Sequence, residues 1–360
     1  MYENPETALE EFETSQRLVD YLDARGFDTT HPAYGLDTAF AARVGSEGPE
    51  IVICAEMDAL PEVGHACGHN IIATAALGAG AALAPLAEEL GIRLTVLGTP
   101  AEERWGGKAA LIEAGAFADA ACAMMIHPAP ADVVDPKMFA VADFEVEYHG
   151  KPAHASAYPE KGINALDAFV QAYVSISTMR QSLLSTERIH GIITHGGDAP
   201  NIVPAFTKSA WAIRAGTREE LGHLEARVRA CWEAAASATG CSLEVTAGGS
   251  AYDELRTDPL LADLYSANSQ SLGRPMARVA ELSGVLRGST DMGNVSRVVP
   301  TIHPMVSIHP GEAVNHQPEF AAHTITADGQ RAILDGATAM ALTVVDLAEG
   351  DRWSELGAAL

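Results

Sequence analysis

The chain has 360 residues, of which 48% are hydrophobic, and its formal net charge is −25 at pH 7. This length exceeds what one hydrophobic core usually serves, so we expect a globular protein with two domains. The acidic charge excludes nucleic acid and anionic membrane surfaces as expected partners. It leaves an anionic substrate open, because a cationic pocket can lie within an acidic shell.

Apolar segments alternate with helical segments from residue 50 to residue 127. This alternation is typical of an α/β domain with a mostly parallel sheet and helices on both faces. Residues 93–97 and 120–125 are predicted to be buried strands. The Ala/Gly-rich stretch 71–86 is predicted to be a helix packed against the sheet and is too short for a membrane span.

A change of pattern near residue 138 marks a second predicted domain. Residues 137–148 alternate as in a half-buried strand. They are followed by helix 164–184, strands 189–195 and 207–215, helix 218–236 and strand 242–247. This order is that of a small ferredoxin-like α+β sandwich. We therefore predict a discontinuous first domain, residues 1–137 and 251–360, interrupted by an inserted domain at 138–250.

The cysteines and the first residues both indicate a cytoplasmic protein. An odd number of cysteines without an even framework predicts no disulfide architecture. Residues 1–14 are acidic and polar, without the cationic and apolar regions of a secretory signal. We therefore expect a cytoplasmic location. The five cysteines are Cys54, Cys67, Cys122, Cys231 and Cys241.

The run GHACGHN at 64–70 places a thiol and an imidazole two residues apart, Cys67 and His69, just after a predicted strand. The intervening glycine permits a sharp turn that aims both side chains at one point. Thiolate and imidazole are ligands that zinc and similar divalent ions prefer. Alone, such a pair is also common as two unrelated buried or surface residues.

Further candidate ligands follow other predicted strands. Glu102 and Glu103 come after the strand at 93–97, His127 comes after the strand at 120–125, and His316 lies late in the chain. Open α/β sheets place their ligand sites beyond the carboxyl ends of the strands. Taken singly, these residues are also compatible with a solvated glutamate pair and structural histidines. Together they predict a metal site.

With these residues in view, the chain resembles the M20 metallopeptidase and amidohydrolase family, in the branch whose first ligand is a cysteine. It is similar in particular to aminoacylase-like dipeptidases and aminobenzoyl-glutamate hydrolases. The matching segments occur in order along the chain: AEMDALP at 55–61, GHACGHN at 64–70, GTPAEE at 98–103, HP at 127–128, GKPAHAS at 150–156, HGGDAPN at 195–201 and STDMGN at 289–294.

The resemblance implies two divalent metal ions bridged by Cys67. Glu103 and His316 would complete the site of one ion. His69 and His127 would complete the site of the other. This ligand set suits zinc, and manganese, cobalt and nickel are alternatives.

The resemblance also implies the catalytic machinery. Glu102 would be the general base that activates water. Asp58 would orient the loop or a ligand histidine. The wider family has a metal-binding histidine where this chain has Glu56, so Glu56 is left open between direct ligation, a supporting role and ordinary packing.

The inserted domain is implied to be a lid and dimerisation domain of a homodimer. His195 would reach the partner's active site and stabilise the oxyanion, while Asn201 and Arg214 would contact the substrate carboxylate. In this chain Glu103 is followed by Arg104 and Trp105, where relatives have glycines. These two side chains would either narrow the pocket and select an acidic or aromatic substrate, or form a pair at its rim.

The chain is thus expected to be a hydrolase that cleaves the amide bond of a small dipeptide or an N-acyl amino acid. Carboxypeptidase activity on aminobenzoyl-glutamate is an alternative within the same class. From another class, a non-catalytic metal-binding or ligand-binding paralogue is the competing hypothesis. The presence of every implied ligand and of the base weighs against it, since a degenerate paralogue would be expected to lose Glu102 or Glu103.

Overall fold

The computed structural model describes residues 1–282 and 288–357. The chain divides into two compact units. The first comprises Met1–Met138 and Leu255–Leu360, and the second comprises Phe139–Glu254. The observed divisions fall after Met138 and after Glu254, where the sequence predicted them after residues 137 and 250.

The elements alternate between strand and helix for most of the chain. Before the insertion they are α1 (Phe12–Asp23), β1 (Asp28–Thr30), β2 (Phe40–Val44), β3 (Glu50–Glu56), α2 (His69–Leu83), α3 (Ala87–Leu90), β4 (Arg93–Thr99), α4 (Gly107–Glu113), β5 (Ala120–Met124) and β6 (His127–Ala129). The inserted unit has β7 (Ala140–His149), α5 (Ala165–Met179), β8 (Arg188–His195), β9 (Phe206–Ala215), α6 (Arg218–Thr239) and β10 (Ser242–Ala247). The chain then continues with α7 (Pro259–Ser271), α8 (Met292–Val295), β11 (Thr301–Ile302), β12 (Met305–Ser307), α9 (Pro318–His323) and α10 (Ala327–Glu349).

A six-stranded sheet in the order β1-β2-β4-β3-β5-β11 forms the centre of the first unit. β4, β3, β5 and β11 run parallel, whereas β1 and β2 are antiparallel to their neighbours. Alternate residues of β3 point to opposite faces: Ile51 and Ile53 pack with α1, α2, α7 and α10, and Val52 and Cys54 pack with α4 and α8. The predicted mostly parallel sheet with helices on both faces is confirmed.

The carboxyl ends of the central strands meet at one edge of this sheet. Glu56 and Thr99, the last residues of β3 and β4, are opposite each other in the parallel register. The segments that follow these strands carry the candidate ligands, as expected for an open α/β sheet. His127 differs in detail from the prediction: it begins the short strand β6, where it is paired with Met305 of β12.

Helix α2 begins at His69 and packs against β3, β4 and α10. The helical stretch extends beyond the predicted residues 71–86, so the expectation that it is too short for a membrane span was wrong: among the described residues, His69–Leu90 is the one segment long and apolar enough to cross a membrane. Within the protein, 61% of that apolar window is buried. Core helices often have this composition, so the property is weak evidence for a membrane span.

The second unit is an antiparallel sheet in the order β10-β7-β9-β8 with two helices on one face. Along β7, Phe144 and Val146 are buried under the helices while Asp143 and Glu145 are exposed. α6 begins where the Thr217 side chain accepts a hydrogen bond from the Glu220 N–H, a typical N-cap. The predicted strand-helix-strand-strand-helix-strand order is confirmed.

Candidate metal centre

A tight turn before α2 brings the first two candidate ligands together. Gly68, between Cys67 and His69, has φ of +87°. A Cβ atom at this position would lie 2.3 Å from Cγ of Pro128. Only glycine combines this left-handed backbone with so close an approach, so the turn depends on Gly68.

Cys67, His69 and His127 form one group whose ligand atoms all lie within 4.8 Å of one another. Nδ1 of His69 lies 3.0 Å from Oδ1 of Asp58, and Nδ1 of His127 lies 2.8 Å from the carbonyl oxygen of Pro128. Both rings are oriented by these acceptors, which leaves Nε2 of each as the ligand atom. Nε2 of His127 lies 3.4 Å from Sγ of Cys67.

Cys67 also belongs to a second group, with Glu103 and His316, of the same 4.8 Å extent. His316 has φ of +72°, a strained conformation for a histidine. Its backbone N–H donates to the carbonyl oxygen of Ala66 over 2.9 Å, which explains how this geometry is held. Asn315 donates to the carbonyl oxygen of Pro128 at 3.2 Å and so ties the His316 loop to the His127 segment. The structure therefore brings all five predicted ligands into two groups that share one sulfur.

The donor atoms of these groups fit a divalent metal ion. Nε2 of His69 and Oε1 of Glu103 are buried and have no hydrogen-bond partner in the part of the chain that the structure describes. Buried polar atoms are costly unless something satisfies them. Burial, and next the negative charge of Glu103, raises the pKa of Cys67 well above its ordinary value. A metal ion would displace this thiol proton and satisfy the orphaned atoms at once.

Glu102 lies beside the two groups and is 7% exposed. Its Oε2 is 3.8 Å from Nε2 of His69. Burial, followed by the charges of Glu56, Glu103 and Asp291, raises the pKa of Glu102 well above its ordinary value. A divalent cation beside Glu102 would lower that pKa. Burial and a bound cation would therefore have opposite effects on the proton affinity of this carboxyl group.

Two contacts fix the backbone on either side of Glu102 and Glu103. Ala101 has φ of +62°, and its N–H donates to the buried carboxylate of Glu11 at 3.0 Å. A Cβ atom on Gly107 would lie 1.9 Å from the carbonyl oxygen of Pro100, so the loop closes against the backbone of α4. Both features restrict where the two glutamates can point.

Glu56, the residue left open by the sequence, pairs with a buried lysine. Nζ of Lys108 is 2.5 Å from Oε1 of Glu56 and 2.6 Å from Oδ1 of Asp291. Burial raises the pKa of Glu56, but the charge of Lys108 and smaller contributions from three neighbouring histidines together outweigh burial and lower that pKa to about 2. Glu56, His69 and Glu102 form a further group of possible ligands.

The remaining predicted residues occupy more exposed positions. Arg104 and Trp105 follow Glu103 with exposed side chains, Trp105 at 47%. In the second unit, His195 ends β8 half-buried, with its ring centroid 5.4 Å from that of Phe206. Asn201 is exposed in the loop that follows, and Arg214 is half-buried on β9. The roles assigned to these residues stay predictions.

Sequence reasoning did not single out several buried polar residues of the centre. Lys108 lies in the first turn of α4, where lysine ordinarily reaches into solvent. His303 is fully buried and its ring centroid is 5.3 Å from that of His127; burial lowers the pKa of His303 to about 4. Asp291 lies within the STDMGN segment, to which the family resemblance assigns no chemical role. Nothing in the sequence around Glu11 distinguishes this buried glutamate from an ordinary surface glutamate.

Comparison with known proteins gives a family match and several similar proteins. A model of peptidase family M20/M25/M40 matches residues 52–344. The chain is 39% identical over 358 residues to the Xaa-Arg dipeptidase of Mus musculus, covering 95% of this chain and 83% of that protein. It is 31% identical over 265 residues to one of the subunits of the p-aminobenzoyl-glutamate hydrolase of Escherichia coli (strain K12), covering 68% of this chain and 55% of that protein.

Among solved structures, the fold is similar to a Bacillus subtilis peptidase of family M20 described as binding a dinuclear metal. The TM-score is 0.71 at 22% sequence identity, with 96% of this chain and 95% of that chain covered. This likeness supports the fold. Because the family model spans most of the sequence and the mouse relative is matched along most of its length, the chain belongs to peptidase family M20/M25/M40 and is a hydrolase of peptide or amide bonds.

Proposed function

We propose that this protein is a two-metal hydrolase of small dipeptides, with Glu102 as its general base. The observation that carries the proposal is the pair of ligand groups that share Sγ of Cys67. A thiolate, imidazoles and a carboxylate form a set that suits zinc, with manganese, cobalt and nickel as alternatives. Two ions held by one bridging sulfur would lie close enough to act on one substrate.

Amide hydrolysis needs an activated water, a base and stabilisation of the oxyanion. When bound, the metal ions supply Lewis acidity and lower the pKa of water. Glu102 would then take the proton of the attacking water and return it to the leaving amine. Asp58 holds His69 and Glu103 in place, and burial of the centre strengthens each electrostatic contact.

The choice of a dipeptide as substrate follows from the relative matched over most of both chains, which is named a dipeptidase for Xaa-Arg. We propose a dipeptide with a cationic C-terminal residue as the first substrate to test. Asn201 and Arg214 would bind its carboxylate, and Arg104 and Trp105 would line the rim. The shorter match to an aminobenzoyl-glutamate hydrolase makes that substrate the comparison.

The second unit carries a surface suited to a homodimer. β8 is an edge strand of the sheet, and its Ile192 and Ile193 are exposed by 65% and 41%. On α5, three apolar side chains are also exposed: Val170, Tyr173 and Val174. An unpaired strand edge with exposed apolar residues is a template for pairing with a second copy. We propose that two copies associate here and that each supplies His195, at the end of β8, to its partner's active site.

The decisive experiment is release of free amine by the zinc-reconstituted protein under reducing conditions. The panel contains Xaa-Arg and Xaa-Lys dipeptides, β-alanyl dipeptides, N-acetyl amino acids and aminobenzoyl-glutamate, each tested also with Glu102→Gln. Turnover of the cationic dipeptides that the variant lacks is the expected result. Turnover of another class would correct the substrate. If the protein binds two zinc ions but hydrolyses none of these substrates, the hypothesis of a non-catalytic binding protein is favoured.

A further inference from the structure

The sheet of the second unit carries a groove on its open face, the face that the two helices leave uncovered. Along β9, Ala210 and Ala212 are half-buried on this face and alternate with buried residues that pack under the helices. Because alanine side chains are short, the surface is low along this part of the strand. The groove has a volume of about 360 Å³, within the usual range for small-ligand sites. Its open-face residues are Asp143, Glu145, His190, Ile192, Ala210 and Ala212.

Three neighbouring strands form the floor and the two sides of this open-face groove. Ala212 is paired with Asp143 of β7. Ala210 is paired with Glu145 of β7 and with Ile192 of β8. Paired residues of antiparallel strands point to the same face of the sheet. The groove therefore runs along β9, with carboxylates on the β7 side and an exposed apolar side chain on the β8 side.

Asp143 differs from the carboxylates that follow it on β7. Nζ of Lys208 lies 2.8 Å from Oε2 of Glu145 and 3.2 Å from Oε1 of Glu147, so these two glutamates share a counter-ion. The side chain of Asp143 has neither a hydrogen bond nor an ion pair in the part of the chain that the structure describes. Although Asp143 is partly exposed, burial raises its pKa, and the charge of Arg214 opposes this rise in part. A carboxylate that has lost water without gaining a close partner favours a cation.

Arg214 and Asp143 form a pair of opposite charges on the open face. Arg214 is paired with Val141, two residues before Asp143, so the two charged residues are diagonal neighbours about 7–8 Å apart. A C-terminal arginine or lysine carries a complementary pair of charges. Six bonds separate its carboxylate carbon from Cζ or Nζ, a span of roughly 7 Å when the side chain is extended. With the substrate carboxylate at Arg214, as proposed above, the cationic end can reach Asp143.

We propose that the open-face groove binds the side chain of the C-terminal residue of the dipeptide, with Asp143 as the counter-ion of its guanidinium or ammonium group. Ala210 and Ala212 contact its methylene groups, and Ile192 borders them on the β8 side. This inference rests on the proposed dipeptidase function and gives that function a source of selectivity. Arginine and lysine can bury an apolar stem while their charged ends are paired. A neutral side chain would leave Asp143 without a partner.

Three variants separate recognition in the groove from general effects of charge. Asp143→Asn removes the negative charge and keeps the size of the side chain. Glu147→Gln is the matched control, because it neutralises a carboxylate on the same strand and face that lies outside the groove. Ala212→Leu fills the floor of the groove and changes no charge.

The measurement is kcat/KM of the zinc-reconstituted protein for Ala-Arg, Ala-citrulline and Ala-Gly. Citrulline has nearly the shape of arginine without its charge, so wild type should prefer Ala-Arg. Asp143→Asn should lower this preference roughly tenfold, mainly through KM, as expected for a charge-assisted contact in a partly exposed site. Glu147→Gln should keep the wild-type preference. Ala212→Leu should lower kcat/KM for both long side chains relative to Ala-Gly.

Several results would overturn the inference. If Asp143→Asn keeps the wild-type preference, or if Glu147→Gln loses as much of it, Asp143 is not the counter-ion. If Ala212→Leu affects all three dipeptides equally, the groove does not hold the side chain. If wild type hydrolyses Ala-Arg and Ala-citrulline equally well, only this inference fails. If wild type hydrolyses no dipeptide, the proposed function fails and this inference fails with it.

Discussion

Oδ1 of Asp58 lies 3.0 Å from Nδ1 of His69, and this contact links the strand-end loop to the first residue of α2. The other oxygen of the same carboxylate, Oδ2, accepts the backbone N–H of Glu103 at 2.9 Å. His69 and Glu103 belong to different ligand groups. One buried carboxylate therefore orients residues on both sides of the proposed bridging sulfur.

Asp58→Asn should weaken both metal positions. An amide has one acceptor oxygen, so it cannot serve both the His69 imidazole and the Glu103 N–H. We expect a loss of about 10–100-fold in zinc affinity, the usual cost of removing such a supporting group. Metal content during chelator titration measures it.

The control for Asp58→Asn is Asp258→Asn, which also removes a buried carboxylate but at the N-cap of α7. Because Asn caps a helix about as well as Asp, this variant should lose only the contact of Oδ2 with the Gly357 N–H, at most about 1 kcal/mol, and should leave zinc affinity as in wild type. Equal zinc losses in the two variants would mean that Asp58 supports the fold and has no special relation to the ligands.

Substitution of the adjacent residues Glu102 and Glu103 should have different effects on zinc content and on kcat. Glu102→Gln should retain both zinc ions and lose about 10²–10⁴-fold in kcat, since it removes a proton acceptor and not a ligand. Glu103→Gln should lose zinc from one position. Metal analysis beside kcat on the same preparations distinguishes the two. Zinc loss in Glu102→Gln with zinc retention in Glu103→Gln would show that the two roles are exchanged.

Glu11 should make stability depend on pH. Burial, and next the charge of Asp58, raises the pKa of Glu11 from 4.5 to about 7 in the folded protein. Folding therefore favours the protonated form. The contribution of Glu11 to the free energy of unfolding is fully present below about pH 4.5 and is lost as pH rises through 7. By linkage it amounts to roughly 3 kcal/mol at most.

Glu11→Gln tests this because glutamine resembles the neutral carboxyl group. It can accept from the Ala101 N–H and bond to the Thr38 hydroxyl, the two present partners of Glu11. The free energy of unfolding, measured by urea titration from pH 5 to 8, should fall less steeply with pH in Glu11→Gln than in wild type. Glu13→Gln, an exposed change in α1, should follow wild type. Identical slopes for all three proteins would contradict the assignment.

His195 should act across the proposed dimer. His195→Ala should abolish turnover with zinc content and fold intact. Mixing it with inactive Glu102→Gln, under conditions that exchange subunits, should restore about a quarter of wild-type activity. Half the dimers would be mixed, and each would contain one complete site. Subunit exchange without recovered activity would exclude action in trans.

Much of the fold was visible in the sequence because its periodicities are local. Alternation along β7 and the apolar runs of β4 and β5 predicted strands that the structure contains, and the order of elements in the second unit was predicted correctly. Short-range turn chemistry also sufficed at Gly68, where the motif itself requires a left-handed residue. The pairing of β6 with β12 joins segments far apart in sequence and was not predicted.

The sequence by itself determined the family and the candidate metal ligands: a thiol, imidazoles and carboxylates in motifs typical of that family. Only the tertiary structure decided how these groups are supported. Lys108 and Asp291 are 183 residues apart, and Glu11 and Ala101 are 90 apart. No local pattern distinguishes such a lysine from one in solvent. The difference arises when chain folding removes water from the ammonium group and places two carboxylates against it.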